Sequence, residues 1–440
     1  MRSTNLTRRS FMKAVGLGAA SLVVSCSMFE DVPHTSSTRP NIILIMADDL
    51  GYECLGCNGS LSYKTPRLDD IASKGMRFTN CHSQPLCTPS RVQIMTGKYN
   101  HRNYTRFGAL DPGETTFGHI MQNAGYKTCC VGKWQLSGEQ EFPGSSPEHA
   151  GFDKYCLWQV GKEAKGSRYW NPKIIENGKY RDDLEGRYGP DVFLEYIENY
   201  IERNKTQPFF LYYPMALTHG PQVPTPDSAE TGSGIKANRK YFADMVAYMD
   251  KIIGRIVEET EAAGIAEDTL LLFTGDNGTA GSIVSKLGDR EIKGGKGKTT
   301  DAGTHVPLIA YWKGVILEGN VCEDLVDFSD ILPTIVETAG AALPGGSVVD
   351  GRSFLPQLRG KKGNPREWIF CFYDKKKGAK KKTSSATRLV RDNQWKLYND
   401  GRLFDVIADP LEEHAIEPGS SVDEVEEIRK QFQTVLDSMK

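Results

Sequence analysis

The sequence has no stretch of about 18 or more apolar residues, so it offers no candidate for a membrane-spanning helix. Neither charge is in excess: 54 Lys and Arg stand against 56 Asp and Glu, a net charge of −2. A nucleic-acid-binding domain carries a clear basic surplus, and this chain has none. The pair Cys54 and Cys57 has no second CxxC and no His pair at metal spacing. That argues against zinc and leaves a loop disulfide or two free thiols. What is present is ordinary for a globular protein, with 39% hydrophobic and 25% charged residues. The 440 residues suffice for one large α/β domain and a smaller one.

The first residues read as an address. Thr7-Arg8-Arg9-Ser10-Phe11-Met12-Lys13 precedes a small, apolar run over residues 14–25. A paired arginine before a short apolar region is the pattern of a twin-arginine export signal; an ordinary secretory signal with two arginines is the alternative. Val23-Val24-Ser25-Cys26 resembles a bacterial lipobox, which would make Cys26 a lipid anchor, against a plain cleavage site there. Residues 1–38 are therefore expected to be signal and tether, and the protein exported to the bacterial periplasm or anchored at a membrane. In such an oxidising compartment some of the other cysteines could pair, with partners that the sequence does not specify. Cys129 and Cys130 fall in an expected buried strand, where Cys acts as a small hydrophobe.

Strands alternate with helices over residues 39–344. Strands are expected at 41–46, 126–131, 208–213, 269–274 and 306–312. Helices are expected at 66–75, 115–124, 191–203, 239–263 and 329–338, the first with Pro66 just inside its start and Gly75 past its end. The alternation predicts an α/β fold with a doubly wound, mostly parallel sheet flanked by helices. From residue 345 to 440 the pattern changes to short strands at 387–390, 394–398 and 402–406, with Asn399-Asp400-Gly401 as a turn and a closing helix at 422–439. That predicts a small C-terminal domain of antiparallel sheet plus helix. The lysines at 375–377 and 380–382 read as a solvated loop rather than a polyanion contact.

Polar residues that carry chemistry stand at the C-terminal ends of the strands, where α/β sheets place ligands. Asp48 and Asp49 end the first strand; Asp276 and Asn277 end a later one. Three carboxylates and an amide oxygen are a hard-oxygen set, suited to Ca²⁺ and less to Mg²⁺, or else they cap helices and face water. Between them lies Leu86-Cys87-Thr88-Pro89-Ser90-Arg91. Pro89 at a first helical position would put Cys87 at a helix entrance, where backbone N–H groups favour an anion and lower a thiol's pKa.

Cys87-Thr88-Pro89-Ser90-Arg91 with Thr96-Gly97 resembles the signature of the sulfatase family, in which that Cys is oxidised to formylglycine. The resemblance runs through Arg39-Pro40-Asn41 to Gly51, Thr65-Pro66 to Gly75, and Arg77-Phe78-Thr79-Asn80. It continues in order through Gly132-Lys133-Trp134, Thr218-His219-Gly220-Pro221, Thr274 to Gly278 and Gly294-Gly295-Lys296-Gly297. Trp395 to Tyr398 and Leu403-Phe404-Asp405 resemble the family's C-terminal sheet. The family is part of the alkaline-phosphatase-like superfamily, which fits the predicted fold.

The resemblance implies a site. Asp48, Asp49, Asp276 and Asn277 would hold one Ca²⁺ together with an oxygen of residue 87. A hydroxyl of the hydrated aldehyde at 87, made by a formylglycine-generating maturation enzyme, would attack sulfur with Asp276 as base. Arg91, Lys133 and Lys296 would stabilise the sulfuryl oxygens, and His219 with Lys296 would protonate the departing alcohol. Two positions depart from the family. Gln135 stands where a histidine is usual and cannot take a proton; it either slows breakdown or bonds a substrate hydroxyl. His305 stands where arginine is usual, in a catalytic or a structural role. The implied substrates are sulfated carbohydrates, aryl sulfates or small alkyl sulfates. The alternatives are a phosphate mono- or diester hydrolase of the same superfamily and a catalytically impaired lipoprotein that binds sulfated glycans. Residues 142–187 and 225–238 are the expected specificity loops, without a legible code.

Overall fold

The aliphatic run Asn41-Ile-Ile-Leu-Ile-Met-Ala forms β1 (Asn41–Ala47), buried along its whole length. Such a run, without polar alternation, marks a strand covered on both faces. The computed structural model describes residues 39–161, 166–374, 386–419 and 423–439. The export-signal residues with Cys26, the lysines at 375–377 and 380–382, and residue 422 lie outside them.

Ten strands make the main sheet: β1, β2 (Met76–His82), β3 (Lys127–Lys133), β4 (Lys154–Trp158), β5 (Ile174–Glu176), β6 (Lys179–Tyr180), β7 (Phe209–Pro214), β8 (Thr269–Gly275), β9 (His305–Tyr311) and β10 (Asn320–Asp327). Their order is β10-β2-β9-β8-β1-β7-β3-β4-β5-β6. The central run β8-β1-β7-β3-β4 is parallel throughout. β9 runs antiparallel to both β8 and β2, and β5 and β6 add an antiparallel edge. The sheet is thus mixed around a parallel centre, in keeping with the predicted doubly wound fold.

Alternation along each strand sends side chains to opposite faces. Ile43 and Ile45 join one core with Cys129, and Ile42, Leu44 and Met46 join the other with Cys130. Helices α1 (Pro66–Lys74), α4 (Gly189–Asn204) and α5 (Phe242–Ala262) cover the first core. Helices α2 (Cys87–Thr96), α3 (Phe117–Asn123) and α6 (Ile331–Thr338) cover the second. α1 starts at Pro66, whose missing N–H costs nothing there. The next N–H groups, of Arg67 and Leu68, donate across to Asp250 of α5 at 3.0 and 2.8 Å.

A second sheet of four antiparallel strands follows, β11 (Ile369–Tyr373), β12 (Thr387–Arg391), β13 (Trp395–Tyr398) and β14 (Leu403–Asp405). α7 (Asp423–Ser438) packs Val425, Phe432 and Leu436 on one face of it. The other face buries Cys371, Tyr398 and Phe404 and takes in Leu86, the residue before Cys87. The small sheet therefore buttresses the segment that leads into α2. No helix among the described residues is long and apolar enough to cross a membrane.

Candidate active site

Four adjacent strands, β8, β1, β7 and β3, deliver the polar residues to one end of the sheet. Asp48 and Asp49 follow β1, Asp276 and Asn277 follow β8, Lys133 ends β3, and His219 lies beyond β7. Backbone bonds lock these ends together. Asp276 N–H donates to Ala47 O at 2.8 Å, Asp48 N–H to Leu217 O at 2.7 Å, and Thr218 N–H to Asp48 O at 2.7 Å. Gly275 is required here, because a Cβ at this position would stand 2.1 Å from Leu50 O. Asp49 holds a left-handed φ of 62°, uncommon for a side-chain-bearing residue, and its N–H donates to Asp276 Oδ1 at 3.0 Å.

Cys87 is the first residue of α2, whose ten residues are all buried. Pro89 is the third helical residue, not the first, yet it still lies within the turn whose N–H groups lack intrahelical partners. The expected lowering of the Cys87 thiol does not occur in this setting. Burial pushes it up, and Asp276 and Asp48 reinforce burial against Lys133 and Arg91.

The charged groups interlock. Lys133 Nζ donates to both oxygens of Asp48, at 3.0 and 2.8 Å. Arg91 donates to Asp276 Oδ2 at 2.9 Å and to the carbonyl of Lys133 at 3.1 Å, with Asp48 Oδ1 3.7 Å away. Lys296 Nζ donates to Asp49 Oδ2 at 2.7 Å, and His219 Nε2 lies 3.7 Å from the same oxygen. His219 Nδ1 donates to Gly220 O at 2.7 Å. Burial alone would raise Asp48, but Lys133, His219, Arg91 and Arg168 hold it well below the carboxylate range. Asp276 is pushed up to about 7 by burial and by Asp48, against Arg91 and Lys133. Burial works against the charge of Lys296, but Asp49 and Asp48 hold its ammonium above its ordinary value.

The donor set fits a hard cation. Ligand atoms of Asp48, Asp49 and His219 all lie within 4.8 Å of one another. Asn277 Nδ2 donates to Asp49 Oδ1 at 2.9 Å, while its Oδ1 is buried with no hydrogen-bond partner among the described residues. A buried amide oxygen that lacks a donor, on a residue bonded to one of these carboxylates, is the kind of group that an oxygen-loving cation satisfies.

Of the residues singled out in the sequence, Asp48, Asp49, Arg91, Lys133, His219, Asp276, Asn277 and Lys296 form this one network, beside Cys87. Gln135 stands apart from it. Its Oε1 is buried without a partner among the described residues, and the residue lines a cavity with Gln159. His305 stacks between Tyr52 at 4.1 Å and His82 at 5.0 Å, and its Nε2 donates to Thr79 O at 2.7 Å. Burial lowers it to about 4, so it is a neutral, held ring. All nine cysteines among the described residues are free, including Cys54 and Cys57. Arg168 was not foreseen: it stacks 4.0 Å over Trp158 and reaches to 3.5 Å from Asp48 Oδ2. It sits in a loop between short strands, where no periodicity or motif marks it.

Residues 40–341 match the sulfatase family model, and residues 297–440 match the model for the C-terminal part of N-sulphoglucosamine sulphohydrolase. Human arylsulfatase A is 33% identical over 76% of this chain and 70% of its own length. N-acetylgalactosamine-6-sulfatase of the dog, Canis lupus familiaris, is 30% identical over 79% of this chain and 69% of its own. The crystal structure of Ps i-CgsB superposes with a TM-score of 0.75 at 26% identity, covering 91% of this chain and 92% of that one. A family match over most of the chain, with relatives at 30% identity or more over more than two thirds of it, makes the chain a member of the sulfatase family and a sulfuric ester hydrolase.

Proposed function

We propose that this sulfatase is an exported enzyme that hydrolyses sulfate esters of carbohydrates or aryl alcohols, with Ca²⁺ at Asp48, Asp49, Asp276 and Asn277 and a formylglycine made from Cys87. The observation that carries this is the convergence of three carboxylates, an orphaned amide oxygen and three cationic side chains at the strand ends beside the first turn of α2. A divalent cation held there supplies Lewis-acid charge to the sulfuryl oxygens, and oxidation of Cys87 supplies the hydrated aldehyde's hydroxyl as nucleophile.

The chain's own residues divide the remaining work. Asp276 takes the proton of the attacking hydroxyl, with Arg91 2.9 Å away fixing its carboxylate. Lys133 and Lys296, held by Asp48 and Asp49, present ammonium groups where negative charge grows on the sulfate. His219 and Lys296 are the more exposed members, with side chains 26% and 21% accessible. That places them toward the mouth, suited to handing a proton to the departing alcohol. The export reading rests on Arg8-Arg9 and Cys26 in the sequence.

The test is the mass of the peptide that holds residue 87, measured beside turnover of an aryl sulfate by wild type and Cys87→Ala. The expected result is a mass lower by the fixed Cys-to-formylglycine difference, with turnover lost in the variant. Activity from a chain with unmodified Cys87 would reject the formylglycine, and an active alanine variant would reject residue 87 as the nucleophile.

A further inference from the structure

The small C-terminal sheet grips the loop that carries Lys296. Lys396 of β13 is wholly buried, and its Nζ donates to Thr299 O at 3.1 Å, to Glu412 Oε1 at 2.6 Å and to Asp301 Oδ1 at 3.3 Å. An ammonium has three N–H groups, so its capacity is filled. Tyr398, two residues on and therefore on the same face of the strand, meets Thr299 Oγ1 at 3.1 Å with its hydroxyl and donates to Glu412. Arg391, at the end of β12, donates to Asp301 Oδ1. Glu412, which joins Lys396 to Tyr398, holds a left-handed φ of 57°, a region that side-chain-bearing residues seldom occupy.

Thr299 lies three residues beyond Lys296, and the loop between and around them has no slack. Lys296 N–H donates to Thr279 O at 3.0 Å, Gly297 N–H to Pro85 O at 2.8 Å, Lys298 N–H to Gly295 O at 2.8 Å and Gly295 N–H to Ala302 O at 3.0 Å. A Cβ at Gly303 would stand 2.0 Å from Lys298 O, and one at Gly295 would stand 2.5 Å from the carbonyl carbon of Ala302. The turn is packed backbone on backbone, so a displacement at Thr299 is carried to Lys296, whose Nζ lies 2.7 Å from Asp49 Oδ2.

A buried ammonium paired with carboxylates stabilises a fold no better than apolar side chains of the same volume. What charged hydrogen bonds add is direction. We infer that Lys396, with Tyr398 and Glu412, is a positioning device by which the C-terminal sheet sets the place of the Lys296 ammonium, so that this sheet takes part in the expulsion of the alcohol. The inference rests on the role given to Lys296 above.

The test is a double-mutant cycle read on phenyl sulfate and 4-nitrophenyl sulfate. Lys396→Met with Glu412→Gln removes a cation and an anion together, Tyr398→Phe keeps the ring and loses its hydroxyl bonds, and each is combined with Lys296→Met. Melting temperatures identify the variants that fold, and Tyr398→Phe decides alone should the charge-pair variant not fold. On phenyl sulfate kcat should fall by about tenfold in the charge-pair variant and about threefold in Tyr398→Phe, short of the ~100-fold of a full 1 Å misplacement. The losses should be smaller on 4-nitrophenyl sulfate, whose phenolate leaves without a proton, and should nearly vanish in the Lys296→Met background. Wild-type rates, equal losses on both esters, or losses that persist without Lys296 would overturn the inference. A Lys296→Met chain as fast as wild type would sink the role of Lys296 and the inference with it. Should the wild type turn over neither ester, amine acylation in chelator, read by peptide mass, decides. Lys296 should react at least threefold faster in Tyr398→Phe than in wild type, while Lys98, of similar exposure and also paired with a carboxylate, keeps its rate. Equal acylation of Lys296 in the two proteins, or a parallel rise at Lys98, rejects the positioning role.

Discussion

Lys133 donates from Nζ to both oxygens of Asp48, and each side chain is no more than 1% exposed. Breaking a buried pair by removing one partner costs about 3–5 kcal/mol, because the other charge is left uncompensated. Lys133→Met should therefore lower the melting temperature in chelator. It should also strengthen cation binding, since the variant removes a like charge from beside the carboxylates. Added Ca²⁺ should recover most of the lost stability while turnover stays down by about 100-fold or more, the usual scale for a lost charge-stabilising donor. Melting curves with and without Ca²⁺ check this; a variant as stable as wild type in chelator would show that the pair does not hold the site.

Asp276 accepts from Arg91 at 2.9 Å and from Asp49 N–H at 3.0 Å. Asp276→Ala removes a candidate ligand and the candidate base together, so turnover should fall by well over ~100-fold. Chelation should inactivate the wild type, and Ca²⁺ should restore it. Isotope-labelled Ca²⁺ binding separates the two losses: Asp276→Asn, which keeps one oxygen, should retain more cation than the alanine variant yet be as inactive. Full activity of either variant would reject Asp276 as base.

Asp250 caps α1 from α5, and burial, opposed by the N–H groups of Leu68 and Arg67, raises its pKa to about 6. A carboxyl whose folded value is raised above its unfolded value, near 3.9, favours the fold while protonated. Its contribution is full below pH ~4 and is lost as the pH rises through about 6, by up to about 3 kcal/mol. Asp250→Asn cannot titrate, so the stability difference between wild type and variant should change across pH 4–6 and be flat above. Denaturant titrations at intervals of half a pH unit measure it, and a flat difference throughout would disprove the raised value.

The parallel centre of the fold was legible because β1, β7 and β8 are buried on both faces and therefore read as unbroken apolar runs. β10 was not, since its first five residues lie at the sheet edge and are partly or fully exposed, with Glu323 and Asp324 among them. The antiparallel direction of β9 was equally hidden: direction is set by the connection through the loop at residues 294–304, which carries no periodic signal. In the site, residues placed at strand ends by motif were found together, while Arg168 was not anticipated. It reaches its place through the loop between β4 and β5, and only the folded backbone shows that this loop returns to the strand ends. The expected low Cys87 pKa failed for a related reason. The helix entrance was readable, but the burial and the carboxylates surrounding it come from segments remote in sequence.

Gln135 is where family pattern and chemistry diverge, and its position allows a direct test. If the usual histidine there serves as a base, glutamine leaves that step unserved, since an amide takes no proton. Alcohol would then be released in an initial burst followed by slow turnover, and Gln135→His would speed the slow phase. We expect the other outcome, because Gln135 makes no side-chain hydrogen bond to the charged network and its Oε1 is buried without a partner among the described residues. Histidine is among the residues that tolerate the left-handed region, so the φ of 58° does not by itself disable the variant. It would, however, replace an amide oxygen with a bulkier ring in a space of about 260 Å³. The expected results are no burst in the wild type and, in Gln135→His, a fall in kcat/KM on the true substrate by about tenfold, the cost of one lost hydrogen bond to a buried polar group. The loss should be smaller on 4-nitrophenyl sulfate, which makes no such bond. Rapid-mix kinetics on both proteins decide, and a wild-type burst removed by histidine would show that Gln135 is a missing base and not a reader of the substrate.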